Sequence, residues 1–129
     1  MTGTKAALTV VLSSALALPA LGAPALAKDG DVLVRGACSV RSAVKLKLSE
    51  ENGRIEIEAE VDQNRNGVPW TVTLTRDGVR VARAVRLTRP PSGSFEFRKL
   101  VANRAGADVV RLLATRLGER CTARATWAV

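Results

Sequence analysis

The 129-residue chain has no histidine and no tyrosine, and only two cysteines, two tryptophans and two phenylalanines. Each shortage removes some chemistry. Without histidine there is no side chain whose ordinary pKa lies near neutrality, and so no imidazole to act as general base or metal ligand. The cysteines, Cys38 and Cys121, stand 83 residues apart rather than in the Cys-x-x-Cys spacing of a redox thiol pair. Ser39, Ser42, Ser92 and Ser94 have no base beside them, and no glycine-rich phosphate loop precedes a helix. Glu56, Glu58 and Glu60 form an acidic series, but lysines expected opposite them would keep them ionised, whereas a carboxyl acid catalyst needs a raised pKa. The sequence reads as non-enzymatic, with no cofactor and no catalytic residue.

Long apolar runs are confined to one place. Residues 1–27 begin with Lys5, continue through the apolar stretch Ala6 to Leu18, break at Pro19 and end in Ala25-Leu26-Ala27, the pattern of a cleavable export signal. The stretch falls short of the roughly 20 residues needed to span a bilayer, and no second one follows. The first cysteine is too far from it to accept a lipid, and the chain ends in Trp127-Ala128-Val129 without an apolar anchor. The expectation is a signal peptide at 1–27, a single domain at 28–129, no membrane insertion after cleavage, and a secreted, extracellular location. Without Lys5, the 20 basic residues become 19 against 12 acidic, a net charge of +7.

A domain of this size supports one hydrophobic core and gains from a covalent brace. Two cysteines in an exported chain predict a Cys38–Cys121 disulfide, which in the loop-entropy picture is worth roughly 4 to 5 kcal/mol.

Alternation of apolar and polar residues runs through the rest of the chain. Val44, Leu46 and Leu48 are interleaved with Lys45 and Lys47. Ile55, Ile57, Ala59 and Val61 are interleaved with Glu56, Glu58 and Glu60. Asn52-Gly53 between them suits a type I′ hairpin turn. That turn places Leu48 opposite Ile57, Leu46 opposite Ala59, Val44 opposite Val61, and each lysine opposite a glutamate. Trp70, Val72 and Leu74 alternate with threonines, and Asp77-Gly78 turns the chain into Val79, Val81, Val85 and Leu87. Here Leu74 would meet Val81 but Val72 would meet Arg83, which predicts either a bulge or an edge strand. Pro90-Pro91-Ser92-Gly93 interrupts before Phe95 and Phe97 resume the pattern.

Residues 108–117 fit a helix capped by Asp108 and stopped by Gly118. They also fit a strand turning through Gly118-Glu119, with Ala114 opposite Ala123, Leu112 opposite Ala125, and Val110 opposite Trp127. The consistent faces favour the strand. About seven short strands predict an all-β antiparallel sandwich of immunoglobulin-like architecture, without the mid-domain cysteine pair of antibody domains.

Three segments add a resemblance: Val61-Asp62-Gln63-Asn64-Arg65-Asn66-Gly67 followed by Trp70, Ser94 through Gly106, and Cys121-Thr122-Ala123-Arg124-Ala125-Thr126-Trp127. Together the chain resembles a group of small exported actinobacterial β-domain proteins of unassigned function. The resemblance implies a secreted β-domain without catalysis and carries no residue roles.

Two candidate sites remain. Asp62, Asn64 and Asn66, with Gly67, match the opening of an oxygen-rich calcium loop, but the twelfth position is Thr73 rather than glutamate and Arg65 sits inside. A plain β-turn is the simpler reading, and no metal is expected. After residue 62 there are 13 basic residues against 4 acidic ones, including Arg80, Arg86 and Arg124 as a candidate basic binding face. The expected partner is an anionic polymer or cell-envelope component. The alternative is a structural domain engaging an extracellular protein through an edge strand near Arg83. With no aromatic series to stack bases, specific nucleic-acid binding is not expected. Nothing in the sequence indicates the oligomeric state.

Overall fold

A computed structural model describes residues 30–128. The expected signal peptide lies outside the described residues. Nine strands follow in order: β1 Val32–Arg35, β2 Ala37–Cys38, β3 Ala43–Glu51, β4 Arg54–Asp62, β5 Pro69–Arg76, β6 Val79–Leu87, β7 Ser94–Ala102, β8 Asp108–Arg116 and β9 Glu119–Trp127. All seven expected segments form strands, and the short β1 and β2 precede them. Residues 108–116 are strand, not helix. There is no helix among the described residues.

The strands make two antiparallel sheets, one in the order β1-β3-β4-β7 and the other β2-β9-β8-β5-β6. Here β4 stays beside β3, whereas in an immunoglobulin domain the strand after the second one crosses to the other sheet. The inward faces of both sheets share one core, with Leu46, Leu48, Ile55 and Ile57 from one side and Trp70, Val72, Leu74, Val110 and Leu112 from the other. The Trp70 and Phe95 rings meet across it with centroids 6.3 Å apart, and the Trp70 indole N–H donates to Gln63 Oε1 at 3.0 Å.

The β3–β4 register is the expected one in every pair, including Lys47 opposite Glu58 and Lys45 opposite Glu60. Asn52 and Gly53 adopt φ of 50° and 77°, the two positive values that a type I′ turn requires. The β5–β6 hairpin differs from the simple reading. Leu74 pairs with Ala82 rather than Val81, because a bulge between Leu74 and Thr75 leaves Val81 as the extra residue. The bulge places Val72 opposite Ala84 and sends Arg83 outward opposite Thr73, so no guanidinium is buried against Val72. β6 is also the free edge of its sheet.

The β8–β9 register is shifted by two from expectation. The turn is Leu117-Gly118, so Ala114 pairs with Cys121, Leu112 with Ala123, Val110 with Ala125, and Asp108 with Trp127. A shift of two leaves every side chain on its expected face, which is why alternation alone did not reveal it. Leu117 is 98% exposed at the tip, and Glu119 is released to the strand, where its carboxylate is needed.

The chain passes from one sheet to the other between β1 and β2. Gly36 lies so close to β9 there that a Cβ would stand 2.1 Å from the Thr122 carbonyl oxygen. Two residues later Cys38 is bonded to Cys121, its direct partner on β9, as expected from the sequence.

Candidate anion-binding face

Period-2 alternation on β5, β8 and β9 sends apolar side chains to the core and threonines and arginines outward. The registers stack these outward residues into rows across the five-stranded sheet. One row reads Arg80, Thr75, Arg111, Arg124, from β6 through β5 and β8 to β9. The next reads Arg83, Thr73, Leu113, Thr122. Arg120 stands opposite Thr115 in a third. Arg111 and Arg124 are direct cross-strand partners, and like charges so placed repel. No ion pair among the described residues reaches Arg35, Arg80, Arg83, Arg111, Arg120 or Arg124.

A groove of about 600 Å³ runs over this face beside the β1–β2 crossing. Arg35, Arg111, Arg120 and Arg124 line it with Thr73, Thr75 and Thr122, and its lining holds no carboxylate, thiol or aromatic ring. Such a surface offers hydrogen-bond donors and positive charge, and it holds no group that could exchange a proton near neutral pH.

The outer face of the four-stranded sheet is organised differently. Glu58 lies between Lys47 at 3.8 Å and Arg98 at 3.7 Å, and Arg98 also reaches Glu96 at 3.3 Å. Lys47 and Arg98 there have anions beside them, unlike Arg111 and Arg124.

The expected trio of arginines is divided. Arg80 and Arg124 share the outer row, but Arg86 lies opposite Trp70 on the other side of β6, and its guanidinium stacks 4.9 Å from the Phe97 ring centroid. It covers the open edge between the two sheets and is not part of the cationic face. The sequence reading missed Arg83, Arg111 and Arg120 as members of the face; Arg35 on β1, opposite Lys45, belongs to the outer side of the other sheet and only borders the groove. The register that sets Val110 opposite Trp127 would set Arg111 opposite Thr126, and the two-residue shift brings it against Arg124 instead.

The candidate calcium loop has another occupation. Asp62 ends β4, and its Oδ1 accepts the Asn64 N–H at 3.1 Å, while Asn64 takes φ of 57°. Gln63 N–H donates to the Gly93 carbonyl, and Thr88 ties the rest by accepting from Val68 N–H and donating to the Arg65 carbonyl. Arg41 and Arg65 line the pocket beside Asp62 and Asn64, an electrostatic environment hostile to a cation. This is a tied turn with one carboxylate.

At the same end of the molecule Glu119 organises the segment after the disulfide. Its carboxylate accepts hydrogen bonds from Ser42 Oγ–H at 2.7 Å, from the Ser42 and Val40 N–H groups, and from Arg116 Nε at 3.1 Å. Burial pushes the Glu119 carboxyl up, but the hydrogen bonds from Ser42 and the contact with Arg116 outweigh it and hold the group below its ordinary 4.5. A depressed folded-state value means that ionised Glu119 stabilises the fold above pH 4.5, with that contribution lost as pH falls through the folded-state value. Glu119→Gln should therefore cost about 1–2 kcal/mol at neutral pH. In melting curves from neutral pH downward, the gap between wild type and variant should close in acid; a gap independent of pH would show that the charge is not what Ser42 and Arg116 recognise.

No family model, no curated protein and no solved structure matches this chain.

Proposed function

We propose that the protein is a secreted, non-enzymatic binding module that engages an anionic polymer outside the cell through the outer face of its five-stranded sheet. The observation that carries this reading is the Arg111–Arg124 pair in a row of outward arginines and threonines with no acidic residue beside them. A surface serving solubility alone intersperses both signs, as the opposite sheet does around Glu58. Clustered, unpaired guanidinium groups instead store repulsion that a polyanion relieves, with release of its counterions. The Cys38–Cys121 disulfide is compatible with an oxidising, extracellular setting. The carrier is a β-sandwich, immunoglobulin-like in its layering and with its own connectivity.

The alternative, strand addition by a protein partner at the β6 edge, is weaker. A bulge and the arginines at 80, 83 and 86 are the devices that blunt an edge against added strands.

The test is elution from a sulfated matrix. Arg80→Gln, Arg111→Gln and Arg124→Gln combined should move elution to clearly lower salt, whereas Arg86→Gln should leave it in place because that guanidinium is engaged on Phe97. Equal elution of the triple variant and wild type would remove the reading.

A further inference from the structure

The geometry points to a defined ligand chemistry for the groove beside Gly36: an ester-linked tetrahedral oxyanion, a sulfate or phosphate monoester carried on a polymer, in preference to a carboxylate. This rests on the proposed polyanion-binding role and goes on to say which anion the face is built to hold.

Arg111 and Arg124 are direct partners on β8 and β9, so their guanidinium groups project from adjacent strands only about 5 Å apart. Each planar guanidinium presents a two-pronged edge of N–H donors. Thr75 is the direct β5 partner of Arg111, and Thr122 is the next outward residue to Arg124 on β9. Neither hydroxyl has a hydrogen-bond partner among the described residues. Two arginine edges and the Thr75 hydroxyl beside Arg111 supply five donors along the groove floor, Thr122 follows one row on, and Arg120 also lines the groove.

A carboxylate has two oxygens in a single plane, and one arginine edge already occupies the favourable side of both. The second guanidinium would then face a ligand whose acceptors point elsewhere. A sulfate or phosphate monoester has three terminal oxygens directed to three sides, so it can accept two guanidinium edges from opposite strands and a hydroxyl from the floor. The groove has no aromatic ring in its lining, so recognition of a sugar by ring stacking is not part of the site. The anion is what this surface can read. The row continues two strands on to Arg80, about 10 Å from Arg111, which leaves room for a second anionic group of the same chain.

The experiment uses the disulfide-bonded full chain and three dextrans of matched length and charge: dextran sulfate, dextran phosphate monoester and carboxymethyl dextran. Binding is titrated calorimetrically at about 0.15 M salt, where long-range attraction is largely screened. Dextran sulfate should bind about tenfold tighter than carboxymethyl dextran, a difference of about 1.4 kcal/mol between anions of equal charge. Arg111→Lys with Arg124→Lys keeps both charges and removes both planar edges, so it should collapse that preference, with the larger loss on dextran sulfate and a smaller one on carboxymethyl dextran, whose carboxylates use one edge each. The phosphate arm separates the two sources: tighter binding than to sulfate assigns a phosphate monoester, and equal or weaker binding assigns a sulfate. Equal affinity for the sulfated and carboxylated polymers, or a preference that survives the double lysine variant, overturns this inference and leaves the polyanion reading standing. Binding to none of the three overturns both. Because both positions are exposed and repel each other in the free protein, the lysine variants should melt where wild type does, and this keeps a folding defect apart from a lost preference.

Discussion

Replacing Cys38 and Cys121 together by alanine should lower the unfolding free energy by about 4.5 kcal/mol, the chain-entropy value for a closed loop of this length. The bond joins residues 83 apart in sequence, and the loop it closes encloses the six strands β3 to β8. Without it the unfolded chain gains the freedom of that whole loop, while the core loses only two sulfur atoms. Alanine is the appropriate replacement because Cys121 is fully buried and a serine hydroxyl there would add its own desolvation cost. For a domain of about 100 residues the melting temperature should fall by about 20 °C.

A local effect should accompany the global one. β2 is only two residues long and is held to β9 by the bond, by Ser39 N–H donating to the Arg120 carbonyl, and by Arg120 N–H donating to Ser39 Oγ. Amide exchange at Ala37 and Ser39 should accelerate more than exchange at the centre of β4. A fall of less than about 5 °C would show that the reduced unfolded chain is already compact enough to give up little entropy.

Asp108→Ala should cost about 3–5 kcal/mol, the range for leaving one member of a buried ion pair without its partner. Arg76 and Asp108 each have only 3% of the side chain exposed, with Nε and Oδ1 3.7 Å apart, and Arg76 also donates to the Ala102 carbonyl. Arg76 is the last residue of β5 and points inward beneath β8, where the core closes at one end of the molecule. Removing the carboxylate leaves a buried guanidinium without its anion, and the group cannot reach water without opening that end. The double replacement Arg76→Met with Asp108→Leu removes both charges and should recover most of the loss, because apolar packing substitutes well for a desolvated pair. Urea unfolding of the single and double variants measures both values. If the double variant were as unstable as Asp108→Ala, the cost would lie in the shape of the site and not in the stranded charge.

These two devices show different degrees of legibility in the sequence. The disulfide follows from there being two cysteines and from reading residues 1–27 as an export signal. The ion pair does not, because Arg76 and Asp108 read locally as the polar ends of two strands. They meet only because β5 and β8 are neighbours, which is a matter of sheet order. The candidate site follows the same division. That the second half of the chain is rich in arginine is plain from composition. Which arginines share a face depends on a bulge at Leu74/Thr75 and on a turn at Leu117-Gly118, and neither changes the apolar pattern from which registers were read.

Strand content and the β3–β4 pairing, down to Lys47 against Glu58, were determined by the sequence alone. Alternation fixes which side chains share a face within a strand, and Asn52-Gly53 fixes one register through its demand for positive φ at both positions. Only the tertiary structure decided that Arg111 meets Arg124, that Arg86 turns away onto Phe97, and that the chain crosses between sheets at Gly36. The physical reason is that a slip of two residues is silent in a period-2 pattern. What distinguishes the real register is contact with elements distant in the chain, such as Ser42 closing on Glu119 and β2 lying down on β9.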